Sequence, residues 1–283
     1  MNIEELSAFI AEVNSQPKNH TGYCGSDRKE IQKTLEEDFS DLELEDSFIV
    51  LSENNQLIAA LGFDIDSKKQ SAEIWGPFIL NSCHWSEQTN MLWNEFMNKM
   101  ESREIGTYFA FYHEENKKGI RWMESLKAME TGKHQILVSK TEGTNGEILE
   151  EISPPYYEEV IKLHDELFPE TYLTGADMIC ELSEEKRLLI VPDGEQSIQG
   201  YVFLEGDCVF QEGNLEFIAV AREHRKKGLG KKLVQAGLTY LYENMNVTEV
   251  SLCVNENNAA AINLYKKSGF HEEMKLVSFK VSV

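Results

Sequence analysis

Apolar residues in the second half of the chain recur at spacings that change between helix and strand. Residues 156–168 and 172–183 have the spacing of amphipathic helices, as do residues 231–245. Residues 258–269 predict a short helix that ends at Gly269. Strands rich in β-forming residues are predicted at 187–193, 197–207, 214–220, 247–254 and 275–283. This order of elements predicts a mixed α/β layer.

A similar pattern occurs earlier in the chain. A shift of 142 positions aligns residues 114–128 with 256–270, and residues 71–80 with 213–222, without a gap. The overall apolar pattern agrees over about fifty residues, although identities are few, and Asn116 falls on Asn258. We infer two diverged copies of one domain. The predicted division is a first domain at 1–141, a polar linker at 142–152 that contains two glycines, and a second domain at 153–283.

Composition excludes several classes of function. The 283 residues suit two domains, and 49 acidic against 27 basic side chains give a net charge of −22. Such a chain repels nucleic-acid phosphates and anionic lipids, so we expect neither nucleic acid nor membrane as a partner. The five cysteines form no CxxC pair, the histidines have no HExxH spacing, and the acidic start is unlike a secretory signal. We expect no metal and a cytoplasmic location; monomer or homodimer stays open.

One short segment carries a charge opposite to that of the chain. Between a predicted strand and a predicted helix, Gly228 and Gly230 allow a close approach of backbone amides to a ligand. The unpaired N–H groups at the start of the helix favour an anion. This segment predicts a site for a polyanion such as a nucleotide diphosphate, although a solvated basic turn is the alternative. The basic residues are Arg222, Arg225, Lys226, Lys227, Lys231 and Lys232.

Two segments resemble motifs of the GNAT superfamily, the acyl-CoA-dependent N-acyltransferases. Residues 225–230 resemble its Gln/Arg-x-x-Gly-x-Gly/Ala loop, and residues 257–270 resemble its second motif, with Asn258, Tyr265 and Gly269-Phe270 in place. The resemblance covers residues 150–283 well, and residues 1–141 only through the repeat. It implies two tandem domains, each a mixed, mostly antiparallel sheet flanked by helices. It also implies acetyl-CoA as the co-substrate.

The resemblance further implies roles for individual residues. Tyr265 would protonate the leaving thiolate and Glu216 would be the general base. The open alternatives are an aromatic residue in the core for Tyr265 and a solvent-facing glutamate for Glu216. The N–H of Val220 would stabilise the developing oxyanion, and Cys253, where some relatives have a glutamate, is expected to be buried. Implied acetyl-CoA contacts are Ile218, Ala219, Val220, Arg225, Lys226, Lys227, Gly228, Leu229, Gly230, Lys231, Asn258, Ala261 and Tyr265.

The first copy lacks these features. Under the shift of 142, residues 225–230 fall on Cys83-His84-Trp85-Ser86-Glu87-Gln88, and Tyr265 falls on Met123. Both glycines and the basic charge are therefore absent, so we expect the first copy not to bind CoA in the family manner.

The function predicted from the sequence is an N-acetyltransferase. It would transfer the acetyl group of acetyl-CoA to a primary amine by direct attack in a ternary complex, with a small molecule favoured over a peptide as the acceptor. The alternatives left open are a non-catalytic acyl-CoA-binding or scaffolding protein, and a longer acyl donor.

Overall fold

The computed structural model describes residues 1–37, 39–80, 82–101, 103, 105–140, 146–169 and 171–283, without the side chain of Ser82. The chain divides into two compact units. The first contains Met1–His134 and Lys275–Val283, and the second contains Gln135–Met274.

The first unit begins with helices and continues with a strand-rich segment. Its helices are α1 (Ile3–Asn14), α2 (Arg28–Glu37), α3 (Leu44–Ser47), α4 (Trp85–Met100) and α5 (Lys117–Ser125). Its strands are β1 (Phe48–Glu53), β2 (Gln56–Asp66), β3 (Ser71–Ile79), β4 (Thr107–His113) and the first part of β5 (Met129–Ser139). Strands β1, β2 and β3 pair antiparallel, whereas β3 and β4 pair parallel.

The second unit has a similar order of elements, except that a short strand comes first and two helices, rather than three, precede the three-stranded segment. Its helices are α6 (Tyr157–Leu167), α7 (Gly175–Cys180), α8 (Leu229–Asn244) and α9 (Ala259–Lys267). Its strands are β6 (Glu150–Glu151), β7 (Lys186–Pro192), β8 (Ile198–Asp207), β9 (Glu212–Val220), β10 (Glu249–Asn255) and the start of β11 (His271–Ser282). Strands β6 to β9 pair antiparallel, and β9 pairs parallel with β10. The prediction of mixed, mostly antiparallel sheets flanked by helices is confirmed.

The structure confirms the register of the predicted repeat. Strands β4 and β10, and helices α5 and α9, have the same bounds after the shift of 142. The two helices also begin in the same way. Asn116 Oδ1 accepts from the N–H of Gly119 at 2.9 Å, and Asn258 Oδ1 accepts from the N–H of Ala261 at 3.1 Å.

Apolar layers cover both faces of the sheet in the second unit. On one face, Val160 and Met178 of α6 and α7 pack in a buried cluster with Tyr201 and Phe217. On the other face, the buried side of α8, which includes Leu233, packs in a second cluster. Because both faces are covered, a ligand can reach the strands only at an edge or where two strands separate.

The compact units differ from the predicted domains at both borders. Within the predicted linker 142–152, Gly146 N–H donates to Thr239 Oγ1 at 3.0 Å, and β6 pairs with β7; residues 142–145 lie outside the described residues. Residues 275–283 belong to the first unit because β11 pairs antiparallel with the whole of β4. The division into two repeated copies, at 1–141 and 153–283, stays a prediction.

Candidate active site

Strands β9 and β10 separate part-way along their length. Their parallel pairing is recorded from Glu212–Glu249 to Asn214–Ser251, whereas β9 stays paired with β8 as far as Val220. The N–H of Ala221 donates to the carbonyl oxygen of Gln199, in β8, at 2.9 Å. Since successive residues of a strand direct their N–H groups to opposite edges, the N–H groups of Ile218 and Val220 face the gap.

The gap opens into a cleft of about 760 Å³. Its walls come from β9, the loop that follows β9, the end of β10, and α9. Among its lining residues are Leu167, Phe168, Glu216, Phe217, Ile218, Val220, Arg225, Lys226, Gly228, Gly230, Cys253, Asn258, Ala261, Leu264 and Tyr265.

The loop before α8 leaves backbone amides without helical partners. Lys226 and Gly228 have φ values of +61° and +84°, so glycine at 228 relieves a left-handed conformation that other side chains disfavour. The first bond of the helix runs from Lys232 N–H to Gly228 O at 3.2 Å. The N–H groups of residues 229–231 therefore have no acceptor within the helix. Amides arranged in this way favour an anion.

Basic side chains surround these amides. Arg225 Nε donates to Val220 O at 3.0 Å, which fixes the loop to the end of β9. Lys232 pairs with Glu147 at 2.9 Å. Within the described part of the chain, four further cations make no ion pair and are available to an anionic ligand. They are Arg222, Lys226, Lys227 and Lys231.

Tyr265 of α9 presents a phenol to the cleft. The residue is half-buried, and its ring meets that of Phe270 edge-on at 5.9 Å. Burial raises the pKa of Tyr265 to about 12, so the hydroxyl keeps its proton at neutral pH. Over the described residues the hydroxyl makes no hydrogen bond, and a donor is therefore available.

Glu216 occupies a β-bulge. In the pairing of β8 with β9, Phe203 faces Phe217 and Leu204 faces Leu215, so Glu216 is the extra residue. Bulges redirect a side chain. Glu216 Oε2 accepts from the hydroxyl of Tyr172 at 2.7 Å, and Oε1 accepts from Asn214 Nδ2 at 2.5 Å. Each oxygen retains lone-pair capacity for a further donor.

Comparisons with known proteins identify the family. A sequence profile of the Acetyltransferase (GNAT) family matches residues 147–270. An N-alpha-acetyltransferase from Sulfurisphaera tokodaii is 30% identical over 125 residues, which are 41% of this chain and 74% of that relative. The chain belongs to the GNAT acetyltransferase family. It is an acyltransferase of the GNAT type, and GNAT enzymes generally use acetyl-CoA.

Other GNAT relatives match in sequence or in fold. A spermidine N(1)-acetyltransferase from Vibrio cholerae is 30% identical over 93 residues, which are 32% of this chain and 53% of that relative. A solved N-acetyltransferase structure from Sphaerobacter thermophilus has a TM-score of 0.74 at 14% identity. The superposition covers 99% of this chain and 92% of that chain. A tandem GNAT protein from the clavulanic acid biosynthesis pathway has a TM-score of 0.67 at 14% identity, with coverages of 99% and 94%. These two structures show the fold alone.

Most of the predicted site residues of the GNAT motifs line the cleft. Three do not. Ala219 is 1% exposed and pairs with Tyr201 of β8, whereas Lys227 and Lys231 are exposed outside the cleft. Those that line it are Glu216, Ile218, Val220, Arg225, Lys226, Gly228, Leu229, Gly230, Asn258, Ala261 and Tyr265.

In the second GNAT motif, Asn258 has a structural role as the N-cap of α9. Asn258 Oδ1 already accepts from the N–H of Ala261, so this oxygen and this N–H are both engaged in capping α9. The side-chain amide nitrogen of Asn258 is the group that could still donate to a ligand.

The expectation that Cys253 is buried was wrong. Its side chain is exposed on the wall of the cleft, because β10 has no neighbour there once it has separated from β9. Desolvation within the cleft, and then the nearby Glu216 carboxylate, raise the pKa of Cys253 to about 12. The thiol therefore stays protonated at neutral pH, which argues against a nucleophile.

Aromatic residues near Glu216 were missed by the sequence reading. Tyr172 lies between α6 and α7, and its ring packs on Phe217 at 5.8 Å. Phe168, from the same loop, meets Phe217 at 5.2 Å and lines the cleft. Their local structure was predicted wrongly, because helical spacing placed Phe168 in a helix over 156–168 and Tyr172 in a helix over 172–183, whereas α6 ends at Leu167 and α7 begins at Gly175. No spacing signal marks which side chain of the connecting loop meets β9.

The first unit fills the corresponding gap with its own chain. Strands β3 and β4 pair from Ser71–Thr107 to Glu73–Phe109 and then separate. Thr21 forms an antiparallel bridge with Tyr112 of β4, and Gly22 N–H donates to Phe111 O at 2.6 Å. Because the other edge of β4 is paired with β11 throughout, this bridge lies on the side of β3.

A buried asparagine holds this inserted segment. Asn14, the last residue of α1, is fully buried. Its Oδ1 accepts from the N–H of Thr21 at 2.8 Å. Its Nδ2 lies 2.7 Å from Cys24 O and 2.8 Å from Gly25 O. The segment is therefore a fixed part of the core of the first unit.

The first unit also lacks a counterpart of residues 225–230, the loop before α8 that we call the anion loop. Of the described residues between 82 and 88, none has a positive φ, and α4 begins directly at Trp85. Met123, at the position of Tyr265, is fully buried.

Two kinds of feature are absent from the described residues. No helix among them combines the length and apolar character that a membrane span needs. No group of His, Cys, Asp and Glu among them could hold a metal ion.

Proposed function

We propose that the second unit transfers the acetyl group of acetyl-CoA to the primary amine of a small cationic molecule. Transfer would be a direct attack in a ternary complex. The observation that carries the proposal is the separation of β9 from β10 beside the amides of the α8 loop. The five cysteines are all free, which fits a reducing cytoplasm.

The cleft fits acetyl-CoA at both ends. The amides at the start of α8, with Arg222, Lys226 and Lys231 nearby, suit the phosphates. The edge of β9 from Ile218 to Val220 suits the amide groups of the pantetheine arm, which can pair with it like an added strand. When bound, acetyl-CoA supplies an acetyl group that is activated as a thioester.

The side chains at the middle of the cleft suit the proton transfers. An alkyl ammonium has a pKa of about 10.4 and must lose a proton before it attacks, and Glu216 can accept it. The N–H of Val220 can donate to the oxygen on which charge develops. The hydroxyl of Tyr265 can donate its proton to the leaving sulfur.

The surroundings of Glu216 favour a cationic acceptor. Tyr172 is 58% exposed beside the carboxylate, and Phe168 and Phe217 line the adjoining wall. Aromatic faces and carboxylates both attract ammonium ions. One relative is named a spermidine N(1)-acetyltransferase and another an N-alpha-acetyltransferase, so spermidine and an unblocked peptide both belong in the test.

The test is a calorimetric titration with acetyl-CoA, followed by an assay of CoA thiol release with spermidine, glucosamine and an unblocked peptide. We expect one site per chain and thiol release that depends on the amine. Two acetyl-CoA sites per chain would contradict the proposal that only the second unit binds acetyl-CoA. Binding without release would favour the non-catalytic alternative, and no binding would overturn the proposal.

A further inference from the structure

We infer that Tyr172 is a positioning residue, which holds the Glu216 carboxylate at the mouth of the cleft from the loop between α6 and α7. The inference rests on the proposed function, because it assigns Tyr172 a role in the proton transfer proposed for Glu216. Tyr172 lies outside both sequence motifs, so the inference adds a residue to the candidate active site.

Glu216 needs such a partner because of its place in the backbone. As the extra residue of a bulge, it has no residue directly opposite on β8 to pack against. A free glutamate side chain samples several rotamers, and fixing one of them costs conformational entropy. The hydrogen bond of 2.7 Å from the Tyr172 hydroxyl selects one orientation of the carboxylate.

The charges around Glu216 make neutral donors important. Glu205 of β8, Glu181 at the end of α7, and Glu185 lie in the same region with one lysine, Lys186. That lysine is already paired with Glu181 at 2.8 Å. Cys253, which faces Glu216 from β10, is a protonated thiol. The two side chains that donate hydrogen bonds to the Glu216 carboxylate, Tyr172 and Asn214, are both neutral.

Tyr172 is itself held by a buried anchor. The next residue, Leu173, is 5% exposed, and its carbonyl accepts from His164 Nε2 at 2.8 Å. A carbonyl can only accept, so Nε2 carries the hydrogen and Nδ1 accepts from the Tyr201 hydroxyl at 2.6 Å. His164 is fully buried in α6. The loop thus has a fixed point one residue from Tyr172.

The residues that follow Leu173 are fixed as well. Thr174 Oγ1 accepts from Asp177 N–H at 3.1 Å and caps α7. Gly175 N–H donates to Asp165 Oδ1 at 2.8 Å, which ties the start of α7 to α6. Tyr172 therefore presents its hydroxyl from a braced loop, although most of its own surface is open to solvent.

The experiment is a double-mutant cycle of Tyr172→Phe and Glu216→Gln, with the amine that the wild type acetylates fastest. Tyr172→Phe keeps the ring on Phe217 and removes only the hydroxyl, so the fold is expected to persist. We expect kcat to fall roughly 10-fold in the wild-type background and to change little in Glu216→Gln, since the two residues act as one unit. We also expect the acidic limb of the pH profile to move to higher pH, because a donor to the carboxylate is lost.

Tyr240→Phe is the matched control. Tyr240 also donates from a tyrosine hydroxyl to a carboxylate, that of Glu151 at 2.6 Å, but it does not line the cleft. We expect it to leave kcat, the pH profile and the dissociation constant of acetyl-CoA unchanged. Tyr172→Phe should likewise keep the dissociation constant of acetyl-CoA, which confirms an intact donor site.

The possible results separate the two proposals. An equal fall of kcat in both backgrounds, or an unmoved pH profile, would overturn the positioning role and leave the acetyltransferase proposal in place. Full activity of Glu216→Gln would overturn the role of Glu216 and, with it, that of Tyr172. A wild type that acetylates no amine of the panel would overturn both.

Discussion

The loop between the first two helices reaches the separated strands in both units, but it ends differently. In the first unit Thr21 enters the gap and bridges to β4. In the second unit the loop stops beside the gap, where Tyr172 meets Glu216. At the position of Glu216, the shift of 142 places Ile74, which is fully buried and pairs regularly with Phe63. One unit has therefore made its gap part of the core, and the other has kept it open.

A gap between two strands that is not offered to a ligand must be filled by the protein itself. Two parted strands expose N–H and C=O groups that need partners. In the second unit we expect a bound ligand or water to provide them. In the first unit the chain provides them, and Asn14 secures the segment that does so. The loss of a ligand site is thus a gain of structure as well as a loss of glycines and charges.

The largest effect is expected from damage to the anion loop of the second unit. We expect Gly228→Asp to weaken acetyl-CoA binding by at least roughly 100-fold, because it adds a negative charge beside the amides that would meet phosphate. Calorimetry measures this effect. Gly194→Asp is the matched control, since both glycines have positive φ and open space around the missing side chain. Equal losses in the two variants would attribute the effect to backbone strain.

The next largest effect concerns the proton donor. We expect Tyr265→Phe to lower kcat by about 100-fold, the lower end for a general acid, with little change in the dissociation constant of acetyl-CoA. Because burial raises the pKa of this tyrosine to about 12, its protonated form persists on the alkaline side. Tyr265 should therefore add no fall in kcat below about pH 11. Tyr242→Phe, which loses a bond of 2.8 Å to Ser139 O outside the cleft, is the control. Unchanged turnover of Tyr265→Phe would remove the acid role.

A third variant tests the filled gap. Asn14→Ala should lower the free energy of unfolding of the first unit by about 2–3 kcal/mol, because several buried backbone groups lose their partner. Urea titration followed by tryptophan fluorescence measures the change. Asn19→Ala, which loses a single long bond of 3.4 Å to Val13 O, should cost much less. Calorimetry should still find one acetyl-CoA site; a second one would mean that the inserted segment alone closes the first unit.

The smallest expected effect is on how the stability of the first unit depends on pH. Burial, and then Asp64, raise the pKa of Glu73 in β3 to about 7, while Lys69 opposes them. The folded state therefore holds this proton more tightly than the unfolded state, whose glutamate has a pKa of about 4.3. The resulting stability is present at low pH and is lost as the pH rises through about 7. We expect Glu73→Gln to be more stable than the wild type by about 1–2 kcal/mol at pH 8, with a smaller difference at pH 5.

Urea titrations at the two pH values check this prediction. Glu53→Gln, at the exposed end of β1, is the control and should show no such trend. A difference for Glu73→Gln that does not grow with pH would contradict the assignment.

Local signals predicted the parts of the site that lie on consecutive residues. The glycines and basic residues of 225–230 predicted the loop and the start of α8, because left-handed turns and helix starts depend on nearby residue types. The repeat aligned residues 114–128, which contain α5, with residues 256–270, which contain α9. Tyr265 followed from a resemblance, and its position on the cleft agrees with it.

Features that depend on pairing between strands were beyond the sequence. The bulge at Glu216 exists only relative to β8, and the separation of β9 from β10 only relative to both. Residues 20–22 have no apolar period, so their insertion beside β4 left no trace in the pattern. The alternation in residues 275–283 predicted a strand but not its neighbour. Alternation indicates that one face of a strand is buried, and it is the same whichever strand is paired with it.

The pairing of β11 with β4 has a consequence for synthesis. Although residues 1–134 emerge first from the ribosome, the sheet of the first unit lacks a strand until residues 275–283 follow. Residues 135–274, which form the whole of the second unit, are translated in the interval. The unit with the candidate active site can thus complete its fold before the unit that precedes it in the sequence. A nascent chain released before residue 275 would expose the bare edge of β4, and quality-control factors that recognise unpaired strands would find it there.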